Sequence, residues 1–406
     1  MPNRGSEPGV GWGVVREAAL RHRVCVLTDA HNRPHIEGET KARPMRGAHF
    51  VFVSLPLGLR CLASSHWLGY LYYFVWQFCA YSVGRRLHGK RPFDLVHHVT
   101  YVNSWAPSFM GWLGIPFVWS AGGREVTPWR FYRALSWRSR VAETRRSLTV
   151  KVLRAATHYC TASRARVILS SSEAGLWGAG LPVIRFPLGG LSETEAEVLR
   201  SLPGRTAGPF RMASIGRLEG FKGFGLGLMA FAALLKEVPE SEYLIVGVGP
   251  ERKFLEKQAA RLGCGEKVKF LDWMSRASLL SFLSEFDVLV HPSLHEQFGY
   301  VLLEAMAAGH PVVCLETGGC GELVSGGGGI AVAVSTPERV ATDLCGVLRG
   351  LAQDRTRRRQ AGLRAREWAT EYWSWSRVGE RLATVYQGVL RRPGDHVTEA
   401  RQEPGG

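Results

Sequence analysis

Glu296 and Glu304 bracket a stretch of HEQFGYVLLEAMAAGHPVV with seven residues between them. The strand-like DVLVHPS stands just before, and the pattern predicts a loop that passes into a helix at Gly299. Glu296 then lies in the loop and Glu304 about a turn and a half inside the helix, while the N–H groups from Phe298 to Val301 form its positive end. Carboxylates accept hydrogen bonds from sugar hydroxyls, and a helix N-terminus receives a phosphate. One short segment therefore carries the equipment of a nucleotide-sugar site.

A second segment supplies positive charge. In SIGRLEGFKGF, Gly216 and Arg217 follow the strand-like RMASI, and Lys222 comes five residues later across a glycine-containing turn. Two cations at such a turn suit a diphosphate. In LIVGVGP, Gly247 and Gly249 let the chain turn tightly beside a phosphate or base; the third glycine of a dinucleotide fingerprint is absent, which argues against an oxidoreductase. In TGGCGELV, Glu322 is expected in the first turn of a helix, favoured there by the dipole. FDLVHHVTY puts His97 and His98 at a strand end, where alternation lets one of them face a cleft while the other is held by local hydrogen bonds. WSAGGREVTP brings Gly122 and Gly123 to another strand end, as a ligand loop or as ordinary turn chemistry.

These groups need strands to hold them. VCVLTD, VFVSLP, DLVHHV, FVWS, HYCTA and VIRFP read as strands in the first half, with helices near 66 to 88 and 131 to 155. After a variable stretch, RMASIGRL, EYLIVGVG, VKFLDW, DVLVHPS, PVVCLE and IAVAV repeat the alternation. The expected fold is α/β, with two doubly wound Rossmann-like domains and a site in the cleft between them, at the carboxyl ends of the strands. The expected spans are 1–190 for the acceptor-side domain, 191–375 for the donor-binding domain, 376–392 for a helix packing back on the first domain, and 393–406 for a disordered tail.

The chain has 406 residues, 46% of them hydrophobic, and a formal net charge of +16. That charge favours anionic partners: nucleic acid, an acidic membrane surface or a phosphorylated substrate. No nucleic-acid-binding signature appears, so nucleic acid is not expected. The eight cysteines are scattered, without zinc-like spacing, as suits reduced thiols in the cytoplasm. Residues 67–83, rich in Trp and Tyr, are short for a membrane span and are read as a buried or interfacial helix that could attach the protein peripherally to the inner face of a membrane.

GRLEGFKG, LIVGVGP, HPSLHEQFGYVLLEAMAAGHPVV and TGGCGE, in this order, resemble the C-terminal domain of the family-4 retaining glycosyltransferases, which have the GT-B fold. The resemblance covers nearly the whole chain. It implies transfer of a hexosyl unit from a nucleoside diphosphate sugar to a hydroxyl of a glycan or glycolipid, with retention, in cell-surface polysaccharide or glycolipid synthesis. By this resemblance Arg217 and Lys222 neutralise the donor diphosphate, Glu296 contacts the hexose and Glu304 holds the ribose. His98 would lie near the transferred sugar, and Gly122 and Gly123 in an acceptor-side loop. No D-x-D run is present and two cations are, so neither metal nor cofactor is expected. A non-catalytic nucleotide-sugar or glycan-binding protein of the same fold is the alternative. GVGWG (Gly9, Gly11, Gly13) resembles the family's N-terminal glycine loop, yet only MPNRGSEP precedes it. The central strand that should come first is therefore expected to be missing from these residues, with its coding sequence upstream.

Overall fold

The computed structural model describes residues 7–55, 68–122, 126–171, 180–205 and 207–391. The chain divides into two compact units, one of Met1–Gly122, Thr149–Gly190 and Trp375–Gly406, the other of Gly123–Leu148 and Leu191–Ser374. Residues 123–148, within the span 1–190 expected to form a single domain, thus group with the second unit.

The first unit opens with α1 (Glu7–Arg21), and this corrects the reading of GVGWG as a glycine loop. Glycine costs a helix interior about 1 kcal/mol relative to alanine. Packing overrides that cost: a Cβ at Gly13 would lie 2.2 Å from Trp375 Cζ2, and one at Gly11 would lie 2.8 Å from Thr100 Cγ2. These glycines serve close approach of the helix. β1 (Val24–Asp29), α2 (Arg33–Ala42), β2 (Ala48–Val53), α3 (Leu68–Lys90), β3 (Val96–His98) and β4 (Phe117–Ala121) follow. Next come α4 (Trp137–Cys160), whose residues to Leu148 fall in the second unit, then β5 (Val167–Ser170) and β6 (Val183–Arg185). HYCTA, expected as a strand, lies at the end of α4 and in the turn beyond it, where Thr157 Oγ1 donates to the Trp105 carbonyl at 2.7 Å. The strand in that part of the chain is β5, VILS.

All pairings in this unit are parallel, but they form two separate sheets, β1–β2 and β3–β4–β5–β6. No ladder joins β1 to β3. Burial follows: every residue of β4 is buried, whereas those of β1 and β3 are only partly buried. The aromatic side chains of α3 hold this unit together. Tyr72 Oη donates to Asp29 Oδ2 at 2.5 Å, Tyr73 Oη to the Pro107 carbonyl at 3.2 Å, and Trp76 Nε1 to the Val53 carbonyl at 3.1 Å. The expectation that this helix offers Trp and Tyr to a membrane is corrected for these three residues; Trp67 lies outside the described residues. Among the described residues no helix is long and apolar enough to cross a membrane.

The second unit contains α5 (Glu193–Arg200), β7 (Arg211–Ile215), α6 (Phe224–Leu234), β8 (Glu242–Val246), α7 (Arg252–Arg261), β9 (Val268–Leu271) and α8 (Arg276–Phe282). It continues with β10 (Val288–His291), α9 (Tyr300–Ala307), β11 (Val312–Leu315), α10 (Gly318–Val324), β12 (Ile330–Val332), α11 (Pro337–Gln353) and α12 (Arg355–Tyr372). The last helix, α13 (Trp375–Leu390), belongs to the first unit, where Tyr386 and Val389 are buried.

The six strands form one parallel sheet in the order β12-β11-β10-β7-β8-β9. β10 and β11 are buried throughout, matching their continuous apolar runs. α6 is apolar all round and mostly buried, with Leu228, Phe231 and Leu234 beside Val340, Leu344 and Leu348 of α11 in one core. Each such side chain contributes about 1.5–3 kcal/mol by burial. The chain leaves β7 toward β8 and β9 on one side, then resumes at β10 on the other. The switch point between β7 and β10 is where sheets of this kind open a crevice at the carboxyl ends of their strands.

Candidate active site

Lys222 and Glu296 meet at that switch point. After β7 the chain passes Gly216 and forms a 3-10 turn over Gly220–Lys222 that ends at Gly223, φ 66°. A Cβ at Gly223 would lie 2.0 Å from the Pro292 carbonyl oxygen, so glycine is required for the post-β7 and post-β10 loops to touch. The consequence is a direct ion pair between Lys222 Nζ and Glu296 Oε2, with only 14% and 20% of the two side chains exposed.

His291, the last residue of β10, completes the cluster: its Nε2–H donates to Glu296 Oε2 at 3.2 Å. Burial pushes the Glu296 carboxyl up, but the His291 hydrogen bond and the Lys222 charge outweigh it and hold it well below the usual carboxylate range. Burial lowers His291 below the ordinary imidazole value, and its Nδ1 is buried without a hydrogen-bond partner. At neutral pH Glu296 is thus a carboxylate and His291 a neutral imidazole.

The loop that carries Glu296 is pinned from behind. Gly319 N–H donates to the Glu296 carbonyl at 3.0 Å, and a Cβ at Gly319 would lie 2.0 Å from the Gln297 oxygen. The glycines of TGGCGE therefore let α10 pack against this loop. Gly299, φ 89°, caps α9 as expected. Phe298, expected to contact a ligand, is 5% exposed and packs edge-on against Trp373 at 5.3 Å, so its side chain anchors the loop and only its backbone is left for a ligand. Glu322 is the fifth residue of α10, not a first-turn residue.

Arg217 is not drawn into the cluster. Its side chain is two-thirds exposed, with Nη1 3.7 Å from Glu219 Oε1. Glu304 lies buried in α9 and pairs with Arg276 of α8. Burial raises its carboxyl above the usual value, against the pull of Arg276. Gly216 and Gly247 serve each other: a Cβ at Gly247, φ 144°, would lie 1.9 Å from the Gly216 oxygen.

Sequence reasoning missed four groups here. His291 stands in the quoted DVLVHPS, and its place at a strand end could have marked it. Arg276, His295 and Glu143 gave no usable signal in spacing. His295 stacks on Phe221 at 4.2 Å, with Nε2 3.8 Å from Glu143 Oε2. Glu143 sits on α4, far upstream of the residues it supports. Among the described residues no group of three or more His, Cys, Asp or Glu is placed to hold a metal ion.

In the first unit His97 is engaged at both nitrogens, Nδ1 with Tyr386 Oη and Nε2 with Ser120 Oγ, each at 2.7 Å. Burial lowers it to about 3 and His98 to about 4. His98 Nε2 is buried without a partner, which distinguishes the two histidines. Gly122 N–H donates to the Val102 carbonyl at the end of β4. Gly123 lies outside the described residues.

Residues 199–368 match the family model described as glycosyl transferases group 1. A glycogen synthase of Mycobacterium tuberculosis is 31% identical over 216 residues, 53% of this chain and 51% of that protein. A D-inositol 3-phosphate glycosyltransferase of Corynebacterium diphtheriae is 32% identical over 182 residues, 43% of this chain and 42% of that protein. The chain thus matches about half the length of these curated relatives. In fold, it resembles the crystal structure of HepE from Anabaena in complex with UDP and glucose, with TM-score 0.54 and 19% identity over 95% of this chain and 97% of that one. Residues 199–368 are therefore similar to the glycosyl transferases group 1 family, and the fold is like that of solved GT-B glycosyltransferases.

Proposed function

We propose that this protein transfers a hexosyl unit from a nucleoside diphosphate sugar to a hydroxyl of a glycan or glycolipid, with retention and without a required metal. The observation that carries the reading is the Lys222–Glu296–His291 cluster at the switch point of the second unit. HepE, similar in fold, binds UDP and glucose, which supports a nucleotide-sugar donor.

In this reading a bound diphosphate competes with Glu296 for Lys222. Lys222 then meets the charge that builds on the leaving group as the glycosidic C–O bond breaks, and Arg217, exposed and only weakly held, swings in beside it. The α9 N-terminus at Gly299 adds its dipole. Two side-chain cations supply the neutralisation that a divalent ion would otherwise give. Glu296, released from Lys222 but still bonded by His291, accepts hydroxyl hydrogen bonds from the hexose, and Glu304 does the same for the ribose. The leaving phosphate oxygen takes the acceptor's proton, so no protein nucleophile is required. In the first unit His98, with its free Nε2, is the acceptor-side group.

The seven described cysteines are free thiols, which supports a cytoplasmic location. A screen of the purified protein against UDP-, GDP- and ADP-sugars tests the reading. Donor hydrolysis or transfer with at least one is expected; failure to bind or turn over any of them refutes it.

A further inference from the structure

The face of α4 turned away from the protein carries apolar side chains. Trp137, Val141, Leu148, Val152 and Tyr159 are 45–70% exposed. At about 100° per residue they fall within an arc of roughly 60° along the helix. The buried residues of α4, among them Ser139, Glu143, Val150 and Thr157, lie roughly 180° away. A surface helix ordinarily buries its apolar stripe and exposes its polar side. Here the polar groups Ser139 and Glu143 face inward, bonded to Glu251 and to the Thr127 amide, and the apolar stripe faces out.

Charge decides what covers it. Arg138 and Arg145 flank the stripe on one side and Lys151 and His158 on the other, all exposed. The one acid of α4, Glu143, is buried on the opposite side. A second copy laid on this face would set arginine rows against arginine rows. A phosphate-bearing layer with an apolar interior complements it. The stripe has an aromatic residue at each end, Trp137 and Tyr159, side chains that favour the boundary between hydrocarbon and water.

We propose that α4 lies in the plane of an anionic lipid surface, with its apolar stripe in the headgroup–acyl boundary and Arg138, Arg145 and Lys151 on lipid phosphates. This attachment is independent of the donor reading, because vesicle binding requires neither donor nor turnover.

The test is cosedimentation of the full chain with vesicles of phosphatidylcholine alone or mixed seven to three with phosphatidylglycerol. Binding is expected to the mixed vesicles and to weaken with salt. Leu148→Asp with Val152→Asp should reduce partitioning about a hundredfold or more, and the alanine pair at the same positions at least about tenfold. Arg138→Glu with Arg145→Glu and Lys151→Glu should cost about a hundredfold, at about fivefold per basic residue. Trp273→Ala, which removes an equally exposed tryptophan from the loop after β9, should change nothing. The proposal is overturned if the wild type ignores anionic vesicles, or if both stripe variants bind as well as it does. It is also overturned if the stripe changes convert a dimer to a monomer in sedimentation velocity, which would make this face a self-association surface.

Discussion

Replacing Lys222 by alanine removes one partner of a largely buried ion pair and should affect activity and stability by separate routes. In the resting protein Glu296 loses its countercharge and keeps only His291. A hydrogen bond to a charged group is worth about 1.5–3 kcal/mol, and losing one partner leaves the other's desolvation uncompensated. For a unit of this size each kcal/mol lowers the melting temperature by roughly 2–4 °C, so a fall of about 4–10 °C is expected. In the reaction the leaving diphosphate loses a preorganised donor, which costs roughly 10²–10³ in kcat. Pairing Lys222→Met with Glu296→Gln separates the two effects: with no uncompensated charge the melting temperature should recover most of its loss, while transfer stays depressed. Calorimetric melting and steady-state kinetics are read on the same preparations. Near wild-type turnover in folded Lys222→Ala refutes the role given to this side chain, and an unchanged melting temperature refutes the energetic account of the pair.

Glu304→Ala should weaken binding of the free nucleoside diphosphate by about 1.5–3 kcal/mol, and Glu296→Ala should leave that binding nearly intact while depressing transfer; equal losses in calorimetric titration contradict the division of roles. Transfer should survive excess EDTA, and activity abolished by EDTA and restored by manganese would overturn Arg217 and Lys222 as the main charge stabilisers. His97 and His98, lowered to about 3 and 4, bind fewer protons folded than unfolded below about pH 6.5, so stability should fall with acidification from there toward pH 4, by up to about 1.4 kcal/mol per pH unit for each. Melting temperatures across that range test this, and His97→Gln should flatten the slope; an unchanged slope contradicts it.

The second unit was legible because its strands are short, largely apolar runs, two of which, β7 and β8, run straight into Gly216 and Gly247, and because Lys222 and Glu296 sit in the loops that follow β7 and β10. The residues that hold Glu304 and His295 were not. Arg276 and Glu143 act through contacts across 28 and more than 150 residues of chain, and no local pattern records such a contact. α1 was misread because glycine is ambiguous on its own: Gly11 and Gly13 looked like turn residues, and only the positions of Thr100 and Trp375 show that they make room for a helix. HYCTA failed for a related reason, since its residues serve equally as the last turn of α4, where His158 and Tyr159 are exposed, and as the buried turn beyond it at Thr161 and Ala162. The aromatic run in α3 was visible, but which aromatics face inward depends on Asp29, Val53 and Pro107, all distant in sequence.

The division of the first unit into β1–β2 and β3–β6 has a dynamic consequence. A parallel strand in mid-sheet engages its amides on both sides; among the described residues, β1 and β3 each have a ladder on one side only. About half of their amide protons are thus outside any strand ladder, and the β1–β2 pair is tied to the rest of the unit by helix packing and side chains such as Tyr72 and Trp76. Cooperativity is transmitted most strongly through a continuous ladder, so this unit will open as two pieces. Amide exchange in β1 and β2 should be governed by a low-energy partial unfolding that leaves β4 and β5 protected. An edge with no strand ladder among the described residues is also a template for strand addition, and the same opening makes this part of the molecule the place where self-association through backbone pairing would begin on heating.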